Sequence, residues 1–234
     1  MSATFDPKIS FTRITSNNCL LTKVIRPDGK GGIIKEPIGH MTAGIAETVS
    51  MLFSEFGPYL RTIEPNQAIA HGLTGHNRVA IVTKGNFTGQ PGTVARSLDH
   101  FIYGEGWTLG MIDCDPKPGQ PALSVDELFS VVAAVWPAFA ALPKWATPST
   151  SACISDMEGN QLTDEGNGRH VYFPFRPGHM LPVLAERLFK RLWLKEHGYI
   201  FISRAGNMLV RTIFDAAVFS SERLDYSSGA KCIG

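Results

Sequence analysis

The sequence has few of the features that mark membrane, secreted or zinc-binding proteins. No apolar run reaches the ~18 residues that a membrane-spanning helix requires. The first residues lack the basic-then-apolar order of a signal peptide. The four cysteines have neither the paired spacing of a zinc site nor the density of a disulfide framework. These absences predict a cytoplasmic protein with reduced thiols and no membrane partner.

Charged residues are also scarce and nearly balanced in sign. They make up 18% of the 234 residues, below the usual ~25%, and the net charge is +1. The distribution is uneven, because residues 166–234 contain ten basic and five acidic side chains, whereas residues 1–165 contain twelve and sixteen. A basic final third is suited to face a polyanion, although chance asymmetry explains it equally well.

Hydrophobic patterning predicts one domain of mixed strands and helices. Strands are predicted at 18–26, 78–83, 150–154, 169–175, 199–203 and 208–219, with a hairpin broken at 104–106 within 99–115. Helices are predicted at 43–56, from a capping box at Ser124 and Glu127 towards residue 142, and at 180–197. Hairpins beside β-helix-β connections favour an α+β or α/β fold.

Two aspartates, Asp113 and Asp115, end an apolar run that begins at Trp107. Residues i and i+2 of a strand point to the same face, so the two carboxylates would lie together. Neighbouring carboxylates raise each other's pKa unless a cation lies between them. Mg²⁺ and Mn²⁺ prefer such oxygen ligands. The pair indicates metal-dependent phosphate chemistry, with a turn or cap at the end of a strand as the plain alternative.

Three later residues extend this candidate site. His170 opens an apolar strand behind a glycine-rich loop, where its ring is suited to bind a phosphate oxygen. Asp215 follows a late apolar run, and a two-metal site needs about three carboxylates. Arg223 is suited to bidentate contact with phosphate. The structural alternatives are a buried histidine, a turn residue, and a surface ion pair of Arg223 with Glu222 or Asp225.

In this order the motifs resemble those of the archaeo-eukaryotic primase superfamily, in its primase-polymerase branch. The family pattern is a hydrophobic run with Asp-x-Asp, then small-x-His, then hydrophobic-Asp late in the chain. The sequence supplies these at 110–115, 168–170 and 213–215, and Arg223 resembles the arginine that follows the third motif. The resemblance covers about residues 78–226.

The resemblance implies a single primase-polymerase domain over residues 1–234. Residues 1–75 would form an N-terminal α/β module, packed on an RRM-like sheet whose catalytic core spans 78–226 and holds the active site. The implied activity is template-directed, divalent-metal-dependent nucleotidyl transfer, which makes primers on single-stranded DNA from nucleoside triphosphates. A replicative helicase, as a further domain or a separate protein, is the implied companion in plasmid and phage replication.

The resemblance also assigns roles to residues. Asp113, Asp115 and Asp215 would hold two Mg²⁺ or Mn²⁺ ions, one at the attacking 3′-hydroxyl and one at the triphosphate. His170 and Arg223 would bind the phosphates of the incoming nucleotide. Further nucleotide-binding candidates are Arg211, which can also pair with Asp215 four residues on, and Arg169, Ser149 and Ser151.

The sequence departs from the family in two respects and leaves alternatives open. Gly168 stands where close relatives often have serine, and there is no Cys/His cluster for a zinc knuckle or an iron–sulfur unit. A repair-type polymerase of the same fold and a nucleotide- or nucleic-acid-binding module without catalysis are the alternatives. A metal nuclease fits less well, because no His or Lys pattern for activating water is present near the carboxylates.

Overall fold

The computed structural model describes residues 5–30, 32–36, 38–116, 122–150, 152–163, 168–203 and 205–233. The strands in these ranges are β1 (Lys8–Ser16), β2 (Val24–Pro27), β3 (Ile33–Glu36), β4 (Ala43–Leu52), β5 (Gln67–Ala70), β6 (Arg78–Thr83), β7 (Thr93–Arg96), β8 (Thr108–Cys114), β9 (Trp145–Pro148), β10 (Arg169–Phe175), β11 (Tyr199–Ile202), β12 (Met208–Arg211), β13 (Leu224–Asp225) and β14 (Lys231–Cys232). The helices are α1 (Phe53–Leu60), α2 (Val125–Val135) and α3 (Leu181–Leu194), with 3₁₀ turns at Lys84–Asn86, Pro137–Ala141, Gly178–Met180 and Ala216–Phe219.

A nine-stranded mixed sheet forms the framework. Its strands follow the order β7-β6-β4-β1-β8-β10-β9, while β5 pairs with β1 and β13 pairs with β5. The branch point is β1, which is antiparallel to β4 along its length and to β5 in its second half. It is parallel to β8 where Ser10 meets Thr108. Strands from the first 75 residues and from the later chain therefore belong to one sheet. Two small sheets, β11-β12 and β14-β2-β3, lie apart from it.

Hydrophobic cores lie on both faces of this sheet. Side chains alternate along β1, so Ile9 and Phe11 belong to one core and Ile14 to the other. Residues of α1, α2 and α3 all contribute to the first core. There Phe56 of α1 packs edge-on against Tyr172 of β10, with ring centroids 5.0 Å apart. This packing fixes β10 and its neighbour β8 in place.

The predicted mixed α/β class is confirmed. Several elements were also predicted correctly from local sequence signals. The strands expected at 78–83 and 169–175 are β6 and β10, and the helix expected at 180–197 is α3. The capping box begins α2, because Oγ of Ser124 accepts from the backbone N–H of Glu127 at 3.2 Å and the carboxylate of Glu127 accepts from the N–H of Ser124 at 2.8 Å. Among the described residues, no helix is both long and apolar enough to cross a bilayer.

The helix predicted at 43–56 is wrong. The segment is strand β4 up to Leu52, and a helix begins only at Phe53. Strand pairing decides the outcome, because β4 pairs with β1 along one edge and with β6 along the other. Gly57, just beyond the predicted helix, lies inside α1. A Cβ atom at that position would come 2.6 Å from the ring of Trp145, so the glycine permits this close packing.

Four predicted strands are shorter than expected or absent. The strand expected at 18–26 begins only with β2. The strand expected at 150–154 is wrong, because none of its described residues is in a strand and the neighbouring strand β9 ends before it. The hairpin expected within 99–115 does not form, because its first half makes a single bridge to another part of the chain and only β8 is a strand. The strand expected at 208–219 ends with β12 and is followed by a 3₁₀ turn.

Candidate functional site

The candidate site begins where β8 and β10 end side by side. Their antiparallel register places Asp113 opposite His170, and both side chains point to the same face. Nε2 of His170 lies 3.6 Å from Oδ1 of Asp113. Further along this face, Met111 and Tyr172 are opposite each other and buried in the first core. The polar pair thus stands at the end of a well-packed apolar strand pair.

A backbone hydrogen bond places Asp215, the third predicted aspartate, beside Asp113. The N–H of Asp215 donates to the carbonyl oxygen of Asp113 at 2.9 Å. Asp215 does not lie on a strand, contrary to the sequence-based expectation. It precedes a 3₁₀ turn, and its Oδ1 accepts from the N–H of Ala217 at 3.0 Å. The turn and this backbone bond hold Asp215 beside the end of β8.

Two arginines lie against the carboxylate of Asp215. Nη1 of Arg211 is 3.5 Å from Oδ1, and Nη2 of Arg223 is 3.7 Å from Oδ2. The Arg211–Asp215 pairing expected from their spacing is therefore present. Arg223 pairs with Asp215, rather than with Glu222 or Asp225 as its structural alternative predicted. Both guanidinium groups consequently flank the acidic cluster.

Asp115 follows the last residue of β8 and is exposed. It lines the same cavity as Asp113, Asp215 and Arg211, a space of about 70 Å³. A water molecule occupies roughly 30 Å³ in the liquid, so the cavity has room for ions or waters but not for a nucleotide. The three predicted metal ligands thus share one small cavity.

Burial is the main influence on the pKa of Asp113 in this cavity, and neighbouring carboxylates add to it. Burial raises the pKa of Asp113 above its ordinary value, and the opposing charge of His170 does not cancel this effect. Three nearby carboxylates raise the pKa of Asp113 further, and they belong to Asp115, Asp225 and Asp215. A cation bound here would relieve this repulsion.

The donor set is chemically suited to Mg²⁺ or Mn²⁺, since these ions prefer carboxylate oxygens. Within the described ranges, no three His, Cys, Asp or Glu side chains are preassembled as a metal-binding group. The oxygens of Asp215 already face the two arginines and the 3₁₀ turn. Joint coordination of a metal by the three aspartates would therefore require their side chains to turn towards one another.

Asp225 is a buried component of the site that sequence reasoning missed. Its side chain is 2% exposed, and its Oδ1 lies 3.4 Å from Nδ1 of His170. Oδ2 accepts from the hydroxyl of Tyr172 at 2.8 Å, and Oδ1 accepts from Oγ of Ser227 at 2.5 Å. Nε2 of His71, also buried, is 3.5 Å from Oδ2. Burial alone would raise the pKa of Asp225, but hydrogen bonds and charges from the two histidines hold that pKa well below its usual range.

His170 lies between two carboxylates, with one ring nitrogen towards each. Burial lowers the pKa of His170, but the hydrogen bond to Asp225 and the charges of Asp225 and Asp113 outweigh this effect and raise it overall. The protonated imidazole has two N–H donors and a positive charge. The site therefore favours the form of His170 that can bind an anionic phosphate.

A second cavity, of about 240 Å³, is lined in part by His170 and is rich in hydroxyl groups. Its lining includes Ser149, Thr150 and Ser227. The N–H of Ser149 donates to the carbonyl oxygen of Gly168 at 2.9 Å, which joins this loop to the start of β10. Ser149, which follows β9, thus lies in the same cavity lining as His170. Ser151 lies outside the described residues.

Arg169 is the predicted site residue that the structure does not bring to the cluster. It pairs with Cys114 across β8 and β10, whereas its neighbour His170 pairs with Asp113. Adjacent residues on a strand point to opposite faces. The Arg169 side chain therefore leaves the strand on the face opposite His170.

Comparisons with known proteins gave no relative. No protein-family model matches the sequence, and neither the curated proteins nor the solved structures give a significant match. A functional assignment for this chain therefore depends on its motifs and on the geometry of the site.

Proposed function

We propose that the chain is a primase-polymerase, which transfers nucleotides from triphosphates to a 3′-hydroxyl on a single-stranded DNA template. One observation supports this most strongly. Asp113, His170 and Asp215 come from three separate segments, in the order of the family motifs, and meet at one end of the β8–β10 pair. The proposed fold is the family's N-terminal α/β module on an RRM-like sheet. The large mixed sheet is compatible with the α+β class, and it includes strands of the first 75 residues.

The carboxylates would provide the metal ligands. Asp113, Asp115 and Asp215 would hold two Mg²⁺ or Mn²⁺ ions, which when bound supply activation of the 3′-hydroxyl and charge neutralisation at the triphosphate. Arg211 and Arg223 lie beside Asp215 and are available to bind phosphate oxygens next to that site.

His170 would bind the incoming nucleotide through its phosphates. Its raised pKa favours the imidazolium, which donates from Nε2 on the side of Asp113. The hydroxyl-rich cavity beside it is smaller than the ~300 Å³ of a typical ligand pocket, so it would hold one part of the nucleotide. Ser149 in its lining is the predicted contact.

The template would be held by basic residues of the final third of the chain. This region has ten Lys and Arg against five Asp and Glu. Binding through phosphates releases counterions, so the affinity for single-stranded DNA should fall steeply with salt.

The test is incubation of the purified chain with single-stranded DNA, nucleotides and Mg²⁺ or Mn²⁺. We expect primer extension, and we expect Asp113→Ala to lose it while keeping the circular dichroism spectrum of the wild type. Asp126→Ala, at an exposed position on α2, is the matched carboxylate control and should retain activity.

The same assay separates the alternatives. Dinucleotide synthesis without a primer would identify a primase, whereas extension alone would identify a repair-type polymerase. A folded wild type that binds nucleotide or DNA but forms no phosphodiester bond would overturn the proposal in favour of a non-catalytic binding module. Activity that survives Asp113→Ala would overturn the assignment of the metal ligands.

A further inference from the structure

Two groups that can accept a hydrogen bond lie beside Nδ1 of His170, on the buried side of the ring. Nδ1 lies 3.4 Å from Oδ1 of Asp225 and 3.2 Å from the hydroxyl of Tyr172. That hydroxyl donates its hydrogen to Oδ2 of Asp225, and a carboxylate can only accept. A bare Nδ1 would therefore set its lone pair against a carboxylate oxygen. The arrangement requires a hydrogen on Nδ1, directed inwards.

Asp225 is in turn held firmly in its position. Oγ of Ser227 donates to Oδ1, Tyr172 donates to Oδ2, and Nε2 of His71 lies 3.5 Å from Oδ2. The strand β13 also fixes its backbone, because Asp225 pairs with Ile69 of β5. A buried charge requires this degree of satisfaction by donors. The carboxylate is therefore a rigid support rather than a mobile surface group.

We propose that Asp225 is a positioning residue, which holds Nδ1–H of His170 inwards so that Nε2 is directed at Asp113 and the nucleotide phosphates. This inference rests on the proposed function and assigns to it a residue outside the three motifs. Asp225 is not among the described residues that line the acidic cavity at Asp113 or the hydroxyl-rich cavity at His170, so it would act through the imidazole rather than on the substrate.

The kinetic test compares Asp225→Asn, His170→Gln and the double variant. In metal sites, loss of a carboxylate that orients a histidine ligand typically costs about 10- to 100-fold. By the same reasoning, we expect Asp225→Asn to raise the KM for nucleotide by at least about tenfold. The KM for the primed template should remain unchanged. Since Asp225 acts through His170, adding Asp225→Asn to His170→Gln should change the nucleotide KM less than about twofold. A full additional loss in the double variant would overturn the inference.

A milder variant keeps the inference testable if Asp225→Asn unfolds the protein. Tyr172→Phe removes only the hydroxyl that touches both Asp225 and His170. Tyr103→Phe is its matched control, because Tyr103 is also buried and its hydroxyl donates to the carbonyl oxygen of Phe219 at 3.2 Å, away from His170. We expect Tyr172→Phe to raise the nucleotide KM several-fold more than Tyr103→Phe. Equal effects of the two variants would contradict the inference.

A spectroscopic measurement keeps this inference separate from the proposed activity. In ¹⁵N-labelled protein without metal or nucleotide, the ring nitrogen shifts of His170 report which nitrogen bears hydrogen. We expect a protonated Nδ1 in the wild type and a changed pattern in Asp225→Asn. Identical shifts would overturn the positioning role. A wild type without nucleotidyl transfer would instead overturn the proposed function, and the shifts would still decide whether Asp225 orients the ring.

Discussion

Asp113 and His170 stand directly opposite each other on neighbouring antiparallel strands, with 3.6 Å between Oδ1 of the aspartate and Nε2 of the histidine. Their meeting depends on register, because a slip of one residue moves a whole set of side chains to the other face of a sheet. Such a slip would bring Arg169 opposite Asp113 and turn His170 away. The buried partners Met111 and Tyr172 on the same face fix the register.

The acidic cavity leads to a prediction about metal binding. Mn²⁺ should raise the melting temperature of the wild type, because binding to the folded state alone contributes about 2.7 kcal/mol at a hundredfold excess over Kd. For a chain of this size that is a rise of roughly 5–10 °C. Asp113→Asn should abolish most of the increment, since it removes a carboxylate oxygen, while Asp126→Asn should keep it. Differential scanning fluorimetry with a metal titration measures both, and an equal shift in the two variants would place the metal elsewhere.

The parts of the fold that were predicted from sequence have strong local signals. The apolar run of β10, the capping box of α2 and the helical spacing of α3 each specify their element without distant contacts. The small and β-branched residues of β4 have no such signal. They form a strand because β1 and β6 pair with both of its edges, and this information lies outside the segment.

The same distinction applies to the candidate site. The order of the motifs led to Asp113, His170 and Asp215, which the structure brings together, while their roles stay predictions. Asp225 could not be found in this way. Its strand β13 has only two residues, and it is buried because it pairs with β5, far earlier in the chain. Arg169, a further nucleotide-binding candidate, lies next to His170 in the sequence but on the opposite face of β10, because side chains alternate along a strand.

The buried carboxylate predicts a dependence of stability on pH. The folded-state pKa of Asp225 lies below its unfolded value of about 3.9, so its contribution is present above about pH 4 and is lost as the pH falls towards the folded pKa. Asp225→Asn should therefore cost about 3 kcal/mol at pH 7, as expected for a buried pair that loses one charge, and progressively less below pH 4. Urea unfolding across this range tests it, and a difference that does not depend on pH would contradict the assignment.

The central position of β4 predicts a steric constraint at Gly44. A Cβ atom there would press against the backbone carbonyl of Thr15 on β1, which cannot rotate away as a side chain could. Gly44→Ala should destabilise the protein by about 1–3 kcal/mol, the usual cost of overpacking. Gly85→Ala is the matched control, because a Cβ atom at that position has no neighbour within 4 Å. Chemical denaturation should show a lower midpoint for the first variant alone, and equal midpoints would refute close packing of β4 on β1.

Replacement of Arg223 should weaken the binding of nucleotide but not the binding of template. Its guanidinium is half-exposed and lies 3.7 Å from Asp215, beside the acidic cavity. A hydrogen bond to a charged group contributes about 1.5–3 kcal/mol, so Arg223→Ala should raise the KM for nucleotide roughly 10- to 100-fold. The affinity of the Arg223→Ala variant for single-stranded DNA should change little. Arg187→Ala removes an exposed arginine of α3 from the same basic third and should leave the nucleotide KM unaltered. Steady-state kinetics and fluorescence anisotropy separate the two readouts, and a loss confined to DNA binding in Arg223→Ala would assign this arginine to the template path instead.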